Sequence, residues 1–414
     1  MTRRKVIVHV GAPKTGTSYV QDLLFRNREA LAETGTLYPA DRFDAHFLAA
    51  LDLMELQWGG LEKQAVGAWD RLAEQVSRWE GTAIISHEIL ATATPAQVLR
   101  ALDSFGEDAE VHVLLSARDL VRQIPAEWQE NVKHRRTVGY REYLDKVTDP
   151  ARPGALASWF WGVQEVPDIL DRWGVMLPPE HVHVLTVPPP GAPRGLLWQR
   201  FASVFELDPA AFTISTDRHN PSLGVPETAL IRRINERVNN GVLANEDYRQ
   251  FVRELLAHRN LSNRAESPRL MLPPDVRSWA EKLSETWIEV LEARGYDVVG
   301  TLDDLRPVPA AEDPVFADPD TPDEELVAEA SLDAVVTLLR EAARLQAVEH
   351  QLREDLDALG RELDRARGLW FRVKRRLVRA ADTHPMAARG LAFYRRQRGR
   401  RVPEQGGANS LGTQ

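Results

Sequence analysis

Lys5-Val6-Ile7-Val8-His9-Val10-Gly11-Ala12-Pro13-Lys14-Thr15-Gly16-Thr17-Ser18 decides the fold of this 414-residue chain. A β-branched apolar run ends in a Gly/Pro turn, and a helical pattern follows at once. That order reads as strand, anion-binding loop and helix. Gly11 and Gly16 keep the glycine spacing of a nucleoside-triphosphate loop, G-x-x-x-x-G-K-[ST]. Thr17, however, stands where that loop has its lysine, and Lys14 lies inside the turn. The backbone N–H groups of such a turn and the positive end of the next helix favour a phosphate. Lys14 adds a point charge, and Thr15, Thr17 and Ser18 add hydroxyl donors. The loop is expected to hold a phosphate, but not that of ATP.

Working outward, Thr82 to Ser86, Glu110 to Ser116 and Val182 to Val187 are further short apolar runs. Amphipathic segments such as Leu61 to Trp79 and Leu156 to Trp173 separate them. Strands alternating with helices predict an α/β fold of three αβα layers, P-loop-like, around a central parallel sheet. Ligands of such sheets bind beyond the carboxyl ends of the strands. The ends to inspect are Gly11 to Ser18, His87-Glu88 and Ala117 to Arg122. After Pro188-Pro189-Pro190-Gly191, helices are expected near 194–206, 226–240, 245–258 and 274–294. The α/β domain is expected to span 1–305, with a Pro- and acid-rich linker at 306–323. A helical extension at 324–401 and a disordered tail at 402–414 follow.

Composition excludes several chemistries. There is no cysteine, so disulfides, thiolate metal sites and cysteine nucleophiles are excluded. No apolar run reaches the length of a membrane span, and a cytoplasmic protein is the expectation. The net charge of −9 is uneven. Residues 365–401 hold thirteen Arg or Lys and one acid, Asp382, a local charge of +12, so the remainder carries −21. An acidic body makes nucleic acid an unlikely partner.

At Pro13-Lys14-Thr15-Gly16-Thr17-Ser18 the chain resembles the sulfotransferase superfamily, whose 5′-phosphosulfate loop reads P-K-[ST]-G-T-[ST]. The resemblance implies 3′-phosphoadenosine 5′-phosphosulfate (PAPS) as sulfuryl donor, with no metal. It implies that Lys14 stabilises charge on the leaving phosphate. Pro13, Thr15, Gly16, Thr17 and Ser18 would complete the 5′-phosphate loop. The family's second motif is an arginine at a strand end with a serine eight residues on, gripping the 3′-phosphate. Leu114 to Arg122 places Arg118 at that arginine, where a guanidinium can fork onto phosphate. Eight residues on is Ala126, so Gln123 or Arg122 is the expected substitute. The family's later basic loop has no recognisable counterpart; Arg218 to Gly224 is a polar loop that either closes over nucleotide or caps a helix at Ser222. The resemblance ends before the tail.

Sulfuryl transfer to a hydroxyl needs a base within hydrogen-bond reach. His87 and Glu88 stand together past the strand Thr82 to Ser86, and both fit patterns of the family. Adjacent residues on an extended strand face opposite sides. Glu88 is taken as base, with His87 orienting it or the substrate; an Arg-paired glutamate and a core histidine are the plain alternatives. The acceptor class is a glycan, lipid or small molecule. Trp128, Gln129, Asn131, Lys133 and His134 are candidates to line its pocket, or simply an amphipathic helix surface. Two other functions fit the same residues: a P-loop kinase-like phosphotransferase, and a non-catalytic scaffold acting through its C-terminal helix.

In that helix Leu338, Leu345, Leu352 and Leu359 recur every seven residues, with Ala366 and Val373 continuing the register, and Ala342, Leu356, Leu363 and Trp370 fall four residues after four of these. The seam suggests a coiled coil and a homodimer through 338–373; Glu349 interrupts it, and a helix docked on the body is the alternative. Ala366, Leu369, Trp370, Val373 and Leu377 share one face of a basic helix over 366–381. That pattern suits an anionic membrane surface on the inner face of the membrane; an RNA-sticky or disordered tail, or a helix docked on the acidic body, are the alternatives.

Overall fold

The structure is a computed structural model that describes residues 4–193, 195–212, 222–239, 241–264, 267–308, 315–383 and 386, 389, 390, 393 and 396. Six parallel strands form one sheet: β1 (Arg4–Gly11), β2 (Thr36–Leu37), β3 (Thr82–Ser86), β4 (Ala109–Ala117), β5 (Val182–Thr186) and β6 (Asp297–Val299). Their spatial order is β2-β3-β1-β4-β5-β6, with β1 pairing β3 on one side and β4 on the other. The chain thus winds one way from β1 and then crosses to the opposite side, so the strand order switches beside β1, the place where sheets of this kind bind ligands.

Alternation along the strands divides the core. Val6, Val8, Val10, Ile85, Val113, Leu115 and Val184 point into the larger cluster. Ile7, Ile84, Leu114 and Leu185 point the other way, against Val20, Leu24, Trp198, Phe201 and Phe205. Four of the helices are α1 (Thr17–Arg26), α2 (Leu120–Lys133), α3 (Leu196–Phe205) and α4 (Glu324–Thr383). Helices α1 and α3 cover the smaller cluster, and α2 lies on the other face. The expected three-layer α/β architecture with a parallel central sheet is the one observed, with a long C-terminal helix.

Two helical segments are shorter than their periodicity predicts. Leu61 to Trp79 breaks at Gly67, where Asp52 accepts the Gly67 and Trp69 N–H groups at 3.0 Å each and so opens a new helix, Ala68–Ser77. Leu156 to Trp173 breaks at Glu165, because Pro167 has no N–H to continue the ladder and starts Val166–Gly174 instead. Strands β2 and β6 have two and three residues, too few to show alternation.

The chain divides into two compact units, Met1–Thr337 and Leu338–Gln414. Within the first, Asp320 accepts the N–H groups of Tyr140 and Arg141 at 2.8 Å each, which fixes a segment of the Pro- and acid-rich stretch. The start of α4 also belongs there: Val327, Ala330 and Ala334 are buried, and Arg233 pairs with Glu324 at 2.6 Å. In the second unit the seam residues Leu338, Leu345, Leu352, Leu356, Leu359 and Leu363 are exposed. No helix among the described residues is long and apolar enough to cross a membrane. Residues 402–414 lie outside the described residues.

Candidate functional site

The loop leaves the sheet at Gly11, at φ 136°, where a Cβ would lie 3.1 Å from the Glu88 carbonyl. Gly16, at φ 93°, caps α1, and a Cβ there would meet Leu197 Cδ2 at 2.6 Å. Both positions need glycine. Lys14 adopts φ 63°, uncommon for a residue with a side chain. Ala12 N–H donates to Ser116 O at 2.9 Å, and Ser116 Oγ donates to Gly11 O at 2.8 Å. The Thr15 hydroxyl turns inward, donating to Ala12 O at 2.6 Å and meeting Ser116 Oγ at 2.5 Å. Thr17 is buried and Ser18 exposed at the start of α1, which has no side-chain cap. Its first N–H groups have no acceptor within the helix.

One stripe of α2 runs beside this loop. Gln123, Glu127, Glu130 and the following His134 fall within about 60° of helical arc. Gln123 Nε2 donates to Pro13 O at 2.6 Å, and Gln164 Nε2 reaches the same oxygen at 3.4 Å. Lys14 Nζ lies 2.8 Å from Glu130 Oε2. Arg253 and His134 each reach Glu130 Oε1 at 3.2 Å, and Lys133 Nζ lies 3.8 Å from Oε2. Burial would raise the Glu130 carboxyl, but Lys14, His134, Lys133 and Arg253 together hold it well below the usual range. Burial, then Lys14, pushes Lys133 down to about 8. Arg253, on the wide π-type helix Tyr248–Asn260, keeps a buried Nε without a partner, as His258 keeps Nδ1.

Glu127 is the opposite case. Burial pushes its carboxyl up to about 7 against the pull of Lys14, with Glu130 and Glu88 adding to the rise. Gln164 Nε2 donates to its Oε1 at 3.1 Å.

Arg118 follows β4 directly. Its Nη1 donates to Lys14 O at 3.3 Å, and its Nε is buried without a partner. Among the described residues no carboxylate lies within ion-pair distance of it; Asp119 is engaged by Arg122 instead. Burial, then the Arg122 charge, pushes Arg118 down to about 10. Arg122 also donates to Pro188 O at 3.3 Å, so both it and Gln123 are engaged by the protein's own acceptors.

His87 and Glu88 do not continue strand β3. His87 is extended at φ −156° and caps the 3-10 turn Glu88–Thr92, its Nδ1 accepting the Ile89 N–H at 3.3 Å. Its ring lies 5.1 Å from that of Phe47, and burial lowers its pKa against the pull of Glu88. Glu88 Oε2 accepts from Gln21 Nε2 at 2.8 Å. Burial would raise the Glu88 carboxyl, but His87, Gln21 and His9 hold it below its ordinary value.

A polar network joins the strand ends that sequence reasoning passed over. His9 Nδ1 lies 2.8 Å from Ser86 Oγ and its Nε2 lies 3.2 Å from Ser116 Oγ. Burial pushes His9 down to about 4, so the ring is neutral and bridges β3 to β4. The signal was present: His9, Ser86 and Ser116 are polar residues near the ends of three apolar runs.

Of the acceptor-side candidates, Trp128 is fully buried and donates to Val138 O at 3.0 Å. Gln129 is buried and bonded to Leu223 and Thr228. Asn131 donates to Glu127 O, within its own helix. Only Lys133 and His134 of that set reach the charged cluster. The helix after the polar loop is capped by Gly224 and not Ser222; Arg218 to Pro221 lie outside the described residues.

No family model and no curated relative matches the chain. Among solved structures it is similar to a crystal structure of a sulfotransferase from Alicyclobacillus acidocaldarius. The two are 18% identical, the match covers 70% of this chain and 95% of that one, and the TM-score is 0.38.

Proposed function

We propose that the chain is a PAPS-dependent sulfotransferase acting on a hydroxyl of a glycan, lipid or small molecule. One observation carries this reading. Arg118, partly buried and without a carboxylate partner among the described residues, meets the backbone of a loop whose lysine lies inside the turn. A desolvated guanidinium with an orphaned N–H needs an anion. The loop beside it keeps its shape because Gly11 packs on the Glu88 carbonyl and Gly16 on Leu197, where a Cβ would not fit.

Arg118 would fork onto the 3′-phosphate, and the amino end of α1 with the loop N–H groups would hold the 5′-phosphate. Thr15 would contribute through its backbone, since its hydroxyl is turned inward. Thr17 and Ser18 follow at the open helix end. Pro13, through its carbonyl, is held by Gln123 and Gln164, which fixes the shape of the loop. Lys14 leaves Glu130 and moves onto the leaving group.

In the transfer the acceptor oxygen forms its bond to sulfur while the bond from sulfur to the 5′-phosphate oxygen breaks. The electron pair goes to that oxygen, beside Lys14, and the hydroxyl proton goes to a carboxylate. His87 uses its Nδ1 lone pair on a backbone N–H, which favours Glu88 over His87 as base. Glu127, with its raised pKa, is a further candidate.

Calorimetric titration with 3′-phosphoadenosine 5′-phosphate tests the reading directly: absence of binding overturns it. Incubation with ³⁵S-labelled PAPS and candidate acceptors then identifies the product, with Lys14→Ala as control. The exposed leucine seam of α4 supports a homodimer. The basic face over 366–381 supports contact with anionic lipid, and removal of residues 365–414 should then abolish liposome binding.

A further inference from the structure

At the amino ends of the strands, away from the loop, four titratable side chains share one face of the sheet. Glu110 and His112 lie two apart on β4, His183 lies on β5, and Asp297 begins β6. Glu110 is in register with Lys5 of β1, six residues before Gly11. At a strand rise of about 3.3 Å per residue, the cluster is about 20 Å from the phosphate loop.

Hydrogen bonds fix the tautomers in turn. Asp297 Oδ2, which only accepts, lies 2.6 Å from His183 Nδ1, so that nitrogen carries the proton and donates. Neutral His183 then offers only a lone pair at Nε2, 2.9 Å from His112 Nδ1, so His112 donates from Nδ1. The other nitrogen of His112, Nε2, lies 3.0 Å from Glu110 Oε1. His181, in the 3-10 turn Pro179–His181 before β5, stacks on the His112 ring at 4.1 Å. The donor atoms of Glu110, His112 and His181 all lie within 4.8 Å of one another.

We infer that Glu110, His112 and His181 bind a divalent d-block cation of the Zn²⁺ type, at a site separate from the phosphate loop. Two imidazoles and one carboxylate are a donor set for zinc and its neighbours, not for calcium or magnesium, which take oxygen. Bonds of about 2.0–2.2 Å in a tetrahedron put donor atoms about 3.3 Å apart. Glu110 and His112 open by a few tenths of an ångström, and the His181 ring turns out of its stack on His112, because near-parallel rings cannot both aim an in-plane lone pair at one ion. The Asp297–His183 pair holds His112 in the tautomer a metal needs, the arrangement that ordinarily supports a ligating histidine. Lys5, the nearby ammonium, is paired with Glu206 at 2.7 Å. The ion would tie β4 to the turn that enters β5, across one edge of the sheet.

The test uses the full chain without a polyhistidine tag, stripped of metal and titrated calorimetrically with Zn²⁺. Glu110 and His181 are half-exposed, so Glu110→Gln and His181→Ala leave the fold intact. The expected result is one saturable Zn²⁺ per chain, weakened at least tenfold in each variant and unchanged in Lys14→Ala. Co²⁺ should give visible absorption of the four-coordinate type in the parent chain and lose it in His181→Ala. No saturable binding, or binding equally tight in both variants, overturns the proposal.

Discussion

Lys14 Nζ lies 2.8 Å from Glu130 Oε2, so the loop's lysine is held by a carboxylate one helix away. Three other cationic or titratable groups, Lys133, His134 and Arg253, surround the same carboxylate. Glu130 therefore acts as an internal counter-ion, and an incoming phosphate must compete with it for Lys14. Glu130→Gln is expected to tighten binding of 3′-phosphoadenosine 5′-phosphate about fivefold, since a partly exposed ion pair is worth about 1 kcal/mol. The same substitution should destabilise the protein at pH 7, because its cations are left facing one another. The folded-state pKa of Glu130 is depressed, so its stabilisation is present above the unfolded value of 4.5 and is lost as pH falls through the folded one. The stability gap between parent and variant should thus narrow as pH falls below about 4.5. Urea unfolding at pH 7 and pH 3 measures the narrowing; an equal gap at the two would refute the counter-ion role.

Lys14→Ala should lower the transfer rate by about 10²–10³, the range for loss of one preorganised donor to a developing oxyanion. Circular dichroism should be unchanged, since the loop's shape rests on Ser116, Gln123 and Gln164 rather than on the lysine. Single-turnover kinetics with labelled PAPS reads the rate apart from donor affinity.

Arg118 is expected to separate the two phosphates of the donor. Arg118→Gln removes a charge-assisted bond of about 1.5–3 kcal/mol, which is about 10- to 100-fold in affinity. That loss should appear for 3′-phosphoadenosine 5′-phosphate and be under about threefold for AMP, which lacks the 3′-phosphate. Arg118→Lys should recover little, because an ammonium cannot reproduce the fork. Equal losses for both nucleotides would place Arg118 on the loop alone.

The parts of the molecule legible in sequence are those with strong local patterns. The four buried strand runs and the loop from Gly11 to Ser18 announce themselves, because β-branched residues and glycines there answer to local geometry. The edge strands β2 and β6 do not, since their few residues are strands only by pairing with a neighbour. The same limit applies to the site. Lys14 and Arg118 lie within motifs, whereas Glu127 and Glu130 matter only because α2 carries them past the loop. Their i, i+3 spacing is ordinary on any exposed helix. Glu88 and His87 were visible as a pair, yet the turn that caps on His87 depends on a backbone geometry no propensity reports.

The second unit gives a prediction independent of chemistry. Leu345 and Leu352 lie one heptad apart on an exposed seam of α4. If α4 pairs with a second copy, light scattering should report a dimer for the parent chain. Leu345→Glu with Leu352→Glu should convert it to a monomer, with the α/β unit still folded. A monomeric parent chain at micromolar concentration would exclude the dimer.

The choice of base can be read from two carboxyls that behave oppositely. Glu88 is held below its ordinary value, while burial pushes Glu127 up to about 7. For Glu127 the folded pKa exceeds the unfolded value of 4.5, so the native state keeps a proton that the unfolded chain releases between them. The Glu127 contribution to stability is therefore fully present below 4.5 and is lost as pH rises through about 7, by about 3 kcal/mol across the window. Glu127→Gln should abolish that fall, because its amide stays neutral beside Gln164. Denaturation midpoints from pH 4 to 8 measure it. The catalytic question then separates cleanly. With Glu88 as base, Glu88→Gln should lower kcat by about 10²–10⁴ and Glu127→Gln by far less. If instead Glu127→Gln carries the loss, and the parent's rate rises with an apparent pKa near 7, the base lies on α2, one turn from the carboxylate that holds Lys14.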